Sequence, residues 1–200
     1  RETYLPDVNG YQTARVWIVQ VSTGETSQLY QDEDIPGHSP KYSPDGNKLA
    51  TYDRNQQAIR ILNLENSQEL STPRTLEGSG DWSPDGKQLL FIDFVPAGHE
   101  PFIEIFVFDL LAETARPLFE EEIRDTDFGQ PRWSPAGDWM AVSLRPVNTN
   151  VNRALWVLSI DGKDTHLVAD DPSAIYASYD WDPWGKRLVF QRFALGSSTT

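Results

Sequence analysis

Apolar positions along this chain come in short, strand-length runs, and the same arrangement returns four times. Lys48-Leu49-Ala50-Thr51-Tyr52-Asp53, Gln88-Leu89-Leu90-Phe91-Ile92-Asp93, Trp139-Met140-Ala141-Val142-Ser143-Leu144 and Arg187-Leu188-Val189-Phe190-Gln191-Arg192 each follow a Pro-Gly turn. Their aromatic and β-branched content predicts strands. A second set aligns as Val16-Trp17-Ile18-Val19-Gln20-Val21, Ile59-Arg60-Ile61-Leu62-Asn63-Leu64, Ile105-Phe106-Val107-Phe108-Asp109-Leu110 and Leu155-Trp156-Val157-Leu158-Ser159-Ile160. Each carries a polar residue at its fifth place (Gln20, Asn63, Asp109, Ser159), where a residue facing a neighbouring sheet can bond a turn backbone.

The turns themselves are Ser43-Pro44-Asp45-Gly46, Ser83-Pro84-Asp85-Gly86, Ser134-Pro135-Ala136-Gly137 and Asp182-Pro183-Trp184-Gly185, each just after an aromatic residue (Tyr42, Trp82, Trp133, Trp181). Proline presets the backbone at the second position, Ser or Asp at the first can bond the backbone ahead, and Gly at the fourth tolerates a left-handed conformation. The third position varies. The turns lie 40, 51 and 48 residues apart, the period of four-stranded propeller blades rather than of helical repeats.

Each unit therefore reads as an aromatic-bearing strand, the turn, a second strand, a variable loop, a third strand, a polar turn and a short fourth strand. The predicted fold is all-β, a β-propeller of four-stranded antiparallel blades forming one domain over residues 1–200, with blades or remnants at 1–31, 38–76, 79–119, 130–169 and 177–200. Residues 1–5 read as the tail of a second strand, and 188–192 as another second strand, so both ends fall at the same phase. That phase predicts about three whole blades and two partial ones, an excerpt of a six- to eight-bladed ring, within the usual span of about 4 to 8 blades. The alternative is a closed ring of four.

The stretch Trp82-Ser83-Pro84-Asp85-Gly86-Lys87-Gln88-Leu89 resembles the WD-like repeats of TolB-type propellers, and the resemblance recurs in all four units. Ala136 and the Asp182-Pro183-Trp184-Gly185 turn depart from it while keeping Pro and Gly. The resemblance implies the fold. It leaves function open among bacterial periplasmic or secreted binding proteins, surface proteins, and the propeller domains of prolyl-oligopeptidase-like serine peptidases.

Composition narrows the choice. Seventeen Lys and Arg against 30 Asp and Glu give a net charge of −13, so no nucleic-acid partner is expected, because phosphate binding needs clustered basic residues. No cysteine is present, which removes disulfide and thiolate chemistry. No apolar run approaches the ~18 residues of a membrane span, and no signal peptide is visible, although the chain starts at Arg1 without an initiator Met.

Catalytic chemistry finds no foothold. A serine hydrolase elbow needs Gly-x-Ser-x-Gly, and the nearest matches are Gly37-His38-Ser39-Pro40-Lys41, which lacks the second glycine, and Gly78-Ser79-Gly80, which lacks the spacing. Asp32-Glu33-Asp34 and Glu120-Glu121-Glu122 with Asp125 and Asp127 offer oxygen ligands but no calcium loop. His38, His99 and His166 are isolated from one another in the sequence. No catalytic residue, metal or cofactor is expected.

The acidic residues acquire interest from topology, since blade-to-blade connections share a face with the loops between second and third strands. Asp32, Glu33, Asp34, Glu77, Glu120, Glu121, Glu122, Asp125, Asp127, Asp170 and Asp171 fall in those connections against Arg74 and Arg124. The bland reading is a solubilising rim; the functional one is a face that attracts a basic partner or a cation. Tyr11, His99, Phe102, Asn148 and Asn150 sit in the long loops of that face as recognition candidates. Trp82, Trp133 and Trp181 are expected to pack between blades, whereas Trp184, inside a turn, is expected to be exposed and to mark a contact surface.

The sequence thus reads as a non-catalytic TolB-like propeller serving as a protein-interaction scaffold outside the bacterial cytoplasm, possible as a subunit of an envelope complex. The alternative is the substrate-gating propeller of a serine peptidase whose catalytic domain is absent here; a polysaccharide-degrading or sugar-binding propeller is a third. If the acidic face recruits a basic partner, affinity falls steeply from low to high salt and on neutralising Glu120 to Glu122. A salt titration of the partner complex checks this.

Overall fold

The structure is a computed structural model describing residues 5–6, 12–13, 15–29, 37–76, 78–95, 102–119, 125–147 and 149–194. Among them every strand pairing is antiparallel and no helix occurs, so none is present that could cross a membrane. The chain divides into two compact units, Arg1–Ser79 and Gly80–Thr200.

In the first unit, β1 (Leu5–Pro6) pairs with β2 (Gln12–Thr13) and β3 (Trp17–Val19) with β4 (Thr26–Gln28). Then β5 (Gly37–Tyr42), β6 (Lys48–Asp53), β7 (Ala58–Asn63) and β8 (Glu69–Arg74) form a four-stranded meander in sequence order. Leu49 through Asp53 are all buried, so β6 is covered on both faces. That explains its continuous apolar run where a one-sided strand would alternate.

In the second unit, β9 (Asp81–Trp82), β10 (Gln88–Val95), β11 (Phe102–Asp109) and β12 (Thr114–Pro117) make another four-stranded meander. The next sheet has a divided first strand, β13 (Thr126–Phe128) and β14 (Arg132–Trp133), both paired with β15 (Trp139–Pro146) and followed by β16 (Ala154–Ser159) and β17 (Thr165–Ala169). Finally β18 (Ala174–Trp181) pairs with β19 (Leu188–Ala194). The division falls where the backbones approach closely. Gly129 N bonds Ser143 O at 2.7 Å, and a Cβ on Gly129 would lie 2.3 Å from Ser143 Oγ. First strands elsewhere bulge at the matching place, at Ser39 (φ 56°) between His38 and Lys41 and at Ser178 (φ 49°) between Ala177 and Asp180.

The turns are closed by side chains. Ser43 Oγ accepts from Lys48 N at 2.9 Å and donates to Asp45 Oδ1 at 2.5 Å, while Asp45 accepts from Asn47 N at 3.1 Å. Ser83 repeats this with Gln88 N at 2.9 Å and Asp85 at 2.6 Å. The variable third position is therefore compensated when it changes. Beside Ala136, Ser134 Oγ turns to Asp138 at 3.4 Å. Beside Trp184, the first residue Asp182 accepts from Lys186 N at 2.7 Å and Arg187 N at 3.2 Å. A further copy, Ser159-Ile160-Asp161-Gly162, joins β16 to β17, with Ser159 Oγ accepting from Asp164 N at 2.9 Å.

The expectation that the fifth-place residues bond turn backbone holds for Asn63, Asp109 and Ser159, and the turn is the one that follows in their own sheet. Asn63 accepts from Glu65 N at 2.9 Å, and Asp109 accepts from Leu111 N and Ala112 N at 3.0 and 2.9 Å. Gln20 reaches Ser22 at 3.2 Å. Asn63 and Asp109 close the outer turn of their own sheets, which follows directly and presents N–H groups within reach, whereas Gln20 meets a side-chain hydroxyl.

Within the second unit the sheets are tied through their first strands. Asp81 Oδ2 accepts from Trp133 N at 2.5 Å, and Trp181 Nε1 donates to Arg132 O at 3.1 Å. Tyr179 Oη donates to Gln130 O and accepts from Ser143 N, the latter at 3.1 Å. Trp82 and Trp133 are 5% and 8% exposed, buried as the repeat predicts.

The turn carboxylates titrate low. Asp45 and Asp85 are held below their ordinary value of 3.8 first by the Ser43 and Ser83 hydroxyls. Asp109 is held there first by the Ala112 amide. Asp161, bound by Lys163 and then Ser159, falls to about 2. For Asp182 desolvation acts upward, but bonds from Lys186 and Arg187 outweigh it. Groups depressed on folding stabilise the fold above their unfolded pKa and lose that contribution as protonation proceeds. Urea midpoints across pH are therefore expected to be insensitive to these groups above about pH 5 and to drop steeply between about 4 and 2.

Candidate functional site

The inner turns and the long loops occupy opposite ends of the strands. In the sheet containing β15, the Ser134–Gly137 turn precedes Trp139, whereas Arg145 and Pro146 at the far end pair with Asp127 and Thr126. Six residues of extended strand separate Trp139 from Arg145, about 20 Å at ~3.4 Å per residue.

At the loop end the cross-strand pair Asp127–Arg145 is completed by Arg153, which stands just before β16. Arg145 Nε donates to Asp127 Oδ2 at 2.8 Å, and Arg153 Nη2 reaches both carboxylate oxygens at 2.8 Å. Burial acts to raise the Asp127 pKa, but Arg153 and Arg145 hold the carboxyl below its ordinary value. The surrounding loop is fastened by its own bonds. Val147 N donates to Asp125 O at 3.0 Å, Thr149 Oγ1 to Pro146 O at 2.7 Å, and Asn152 Nδ2 to Pro172 O at 3.2 Å. Asp125, Asn150, Val151 and Asp170 are left exposed around it.

Asp171 serves a neighbouring turn. Bonded first by the Ser173 hydroxyl, then by Arg192 and the Ser173 amide, it is lowered to about 2. Of the acidic face read from sequence, then, Asp125 and Asp170 stand exposed, while Asp127 and Asp171 are matched by arginines. Arg145, Arg153 and Arg192 were absent from that reading. The signal for the first two was their position flanking the long loop, where a cross-strand partner for Asp127 had to fall.

Trp184 is 66% exposed but is not brought together with those residues. Its turn packs against the 134–137 turn, with Ala136 3.0 Å from where a Cβ on Gly185 would lie, at the opposite end of the strands. Phe102, expected as a recognition residue, is instead 6% exposed and paired across from Val95; its apolar ring is core. Asp32, Glu33, Asp34, Tyr11, Glu77, His99, Glu120, Glu121, Glu122 and Asn148 lie outside the described residues. Among the described residues, no group of three or more His, Cys, Asp or Glu side chains is placed to hold a metal ion.

Four-stranded antiparallel meanders recur along the chain, and within the second unit the sheets are tied through their first strands; this is how the blades of a β-propeller are built, and comparison with solved structures agrees. The chain is similar to an oligogalacturonate lyase solved in complex with manganese, at 17% identity and a TM-score of 0.69, over 95% of this chain and 55% of that one. It is similar to TolB from Acinetobacter baumannii at 19% identity and a TM-score of 0.67, over 92% and 44%. Its similarity to prolyl endopeptidases is at 16% identity and a TM-score of 0.60, over 82% and 27%. The chain spans about half the length of the first two. Likeness at these identities establishes a TolB-like propeller fold. Comparison with protein-family models and with curated proteins finds no match.

Removing the Asp127 carboxylate leaves two guanidinium groups facing each other. Asp127→Ala is expected to lower stability by about 1 to 2 kcal/mol, less than a fully buried pair would cost, because both arginines are partly solvated. Chemical denaturation at low and high salt checks this, with the smaller loss expected at low charge repulsion in high salt.

Proposed function

We propose that this propeller segment is a non-catalytic protein-interaction scaffold that works outside the bacterial cytoplasm, in an envelope assembly, and that its partner docks on the loop end. The carrying observation is that Thr149, Asn150 and Val151 are exposed on a loop fastened through Val147, Thr149 and Asn152. A loop already ordered loses little conformational entropy on binding. Val151, 47% exposed, offers an apolar contact there, and Asn150 an adaptable amide. Exposed Asp125 and Asp170 favour basic groups on the partner. The resemblance of the repeats to TolB-type propellers supports the envelope location.

The fold likeness to prolyl endopeptidases favours a second reading, a substrate-gating propeller attached to a serine peptidase domain. Labelling the full-length product with a fluorophosphonate separates the two: covalent labelling of a serine supports the peptidase, and none is expected for the scaffold. For the scaffold, a partner recovered by cross-linking and purified is titrated against variants. Asn150→Ala combined with Val151→Ser is expected to weaken binding at least tenfold, while Trp184→Ala leaves it unchanged. The reverse pattern would move the interface to the turn end and overturn the proposal.

A further inference from the structure

The charge count around Asp127 is unlike that of the other arginine contacts. Arg187 meets Asp182, and Arg192 meets Asp171, one to one; Arg60 lies between two acids, Asp53 and Glu69. At Asp127 two guanidinium groups share a single carboxylate, leaving one positive charge in excess within a chain of net charge −13. The carboxylate is fully engaged by Arg145 Nε and Arg153 Nη2, so both Nη groups of Arg145 and Nη1 of Arg153 carry no hydrogen bond among the described residues. Arg153 Nε is buried and also lacks an acceptor there. The two side chains are 39% and 38% exposed, so the Nη groups left over, unlike the buried Arg153 Nε, are within reach of a ligand from a fixed position.

We infer that Arg145 and Arg153 form a carboxylate-binding site, and that the segment of a protein partner reaching it is acidic. The inference rests on the loop-end docking proposed above and specifies its chemistry. Asp127 holds both guanidinium planes by one edge, which removes the rotamer freedom that makes exposed ion pairs weak. Arg145 then presents its Nη1–Nη2 edge, the paired N–H donors that a planar carboxylate accepts in bidentate fashion, and Arg153 adds Nη1 as a further charged donor. Lysines would supply charge without that fork. The partner surface implied is mixed, acidic opposite the arginines and basic opposite Asp125 and Asp170, a pattern that fixes orientation as well as attraction.

The test titrates the whole chain with a terminally blocked tetraglutamate peptide, its tetraglutamine counterpart and sodium acetate, at low ionic strength. The Nε–H resonances of Arg145 and Arg153 are followed by NMR, assigned through Arg145→Lys and Arg153→Lys. Saturable shifts of both signals with tetraglutamate, and none with tetraglutamine, are expected. Arg145→Gln, which leaves a one-to-one Asp127–Arg153 pair, should weaken binding about tenfold, the scale of a single charge-assisted contact. If Arg145→Gln does not fold, Arg145→Lys decides, with weakened binding expected despite retained charge. Equal shifts with tetraglutamine, wild-type affinity in the Arg145 variants, or saturation by acetate at the same concentration as the peptide would each overturn the inference. A natural partner that still binds at residues 149–153 while tetraglutamate does not would remove the carboxylate site alone and leave the scaffold reading standing.

Discussion

The fold depends on one small device, a side-chain oxygen that captures a backbone N–H across a four-residue turn. Ser43 takes Lys48 N and Ser83 takes Gln88 N, both at 2.9 Å, Ser134 takes Trp139 N at 3.3 Å, and Asp182 takes Arg187 N at 3.2 Å. The first three bonds fix the first residue of a second strand against its turn, and the fourth fixes the residue just before it. Because side chains alternate along a strand, a slip of one residue would send every buried group to the opposite face. The device therefore decides more than the turn. The same register that sets Trp133 opposite Met140 sets Asp127 opposite Arg145 at the far end of the sheet.

This explains why much of the architecture was legible in the chain. The Pro-Gly turns, the apolar runs after them and the polar fifth-place residues are local features, and local stereochemistry is enough to read them as strands and turns. The buried Trp82 and Trp133 followed from the repeat. That the fifth-place residues bond turn backbone was legible; which turn they bond was not, because spacing alone does not distinguish a turn of a neighbouring sheet from the next turn of their own. Asn63 and Asp109 show the nearer partner winning. Phe102 was misjudged for a similar reason: at the start of a strand, an aromatic ring can point to loop or core, and here it lies in the core.

The candidate site was harder to read. Its acids stood out as a charge run, but the arginines that oppose them come from the end of β15 and the start of β16, 18 and 26 residues from Asp127. Only the strand register brings them together. Once paired, Asp127 ceases to be an attractive surface charge and becomes a brace for two cations, so the electrostatic character of the loop end changes sign locally. Trp184 and the loop-end residues, grouped by chemistry, are separated by the length of the strands.

A propeller of this kind would serve recognition by being rigid beforehand, with turns locked at one end and a fastened loop at the other. Amide hydrogen exchange, measured on the chain alone and with its purified partner, tests that most directly. The amides of Lys48, Gln88 and Arg187 should exchange slowly in the free chain and remain unchanged on binding, with additional slowing confined to residues 149–153. Rapid exchange at those turn amides in the free chain, slowed only when the partner binds, would contradict the account.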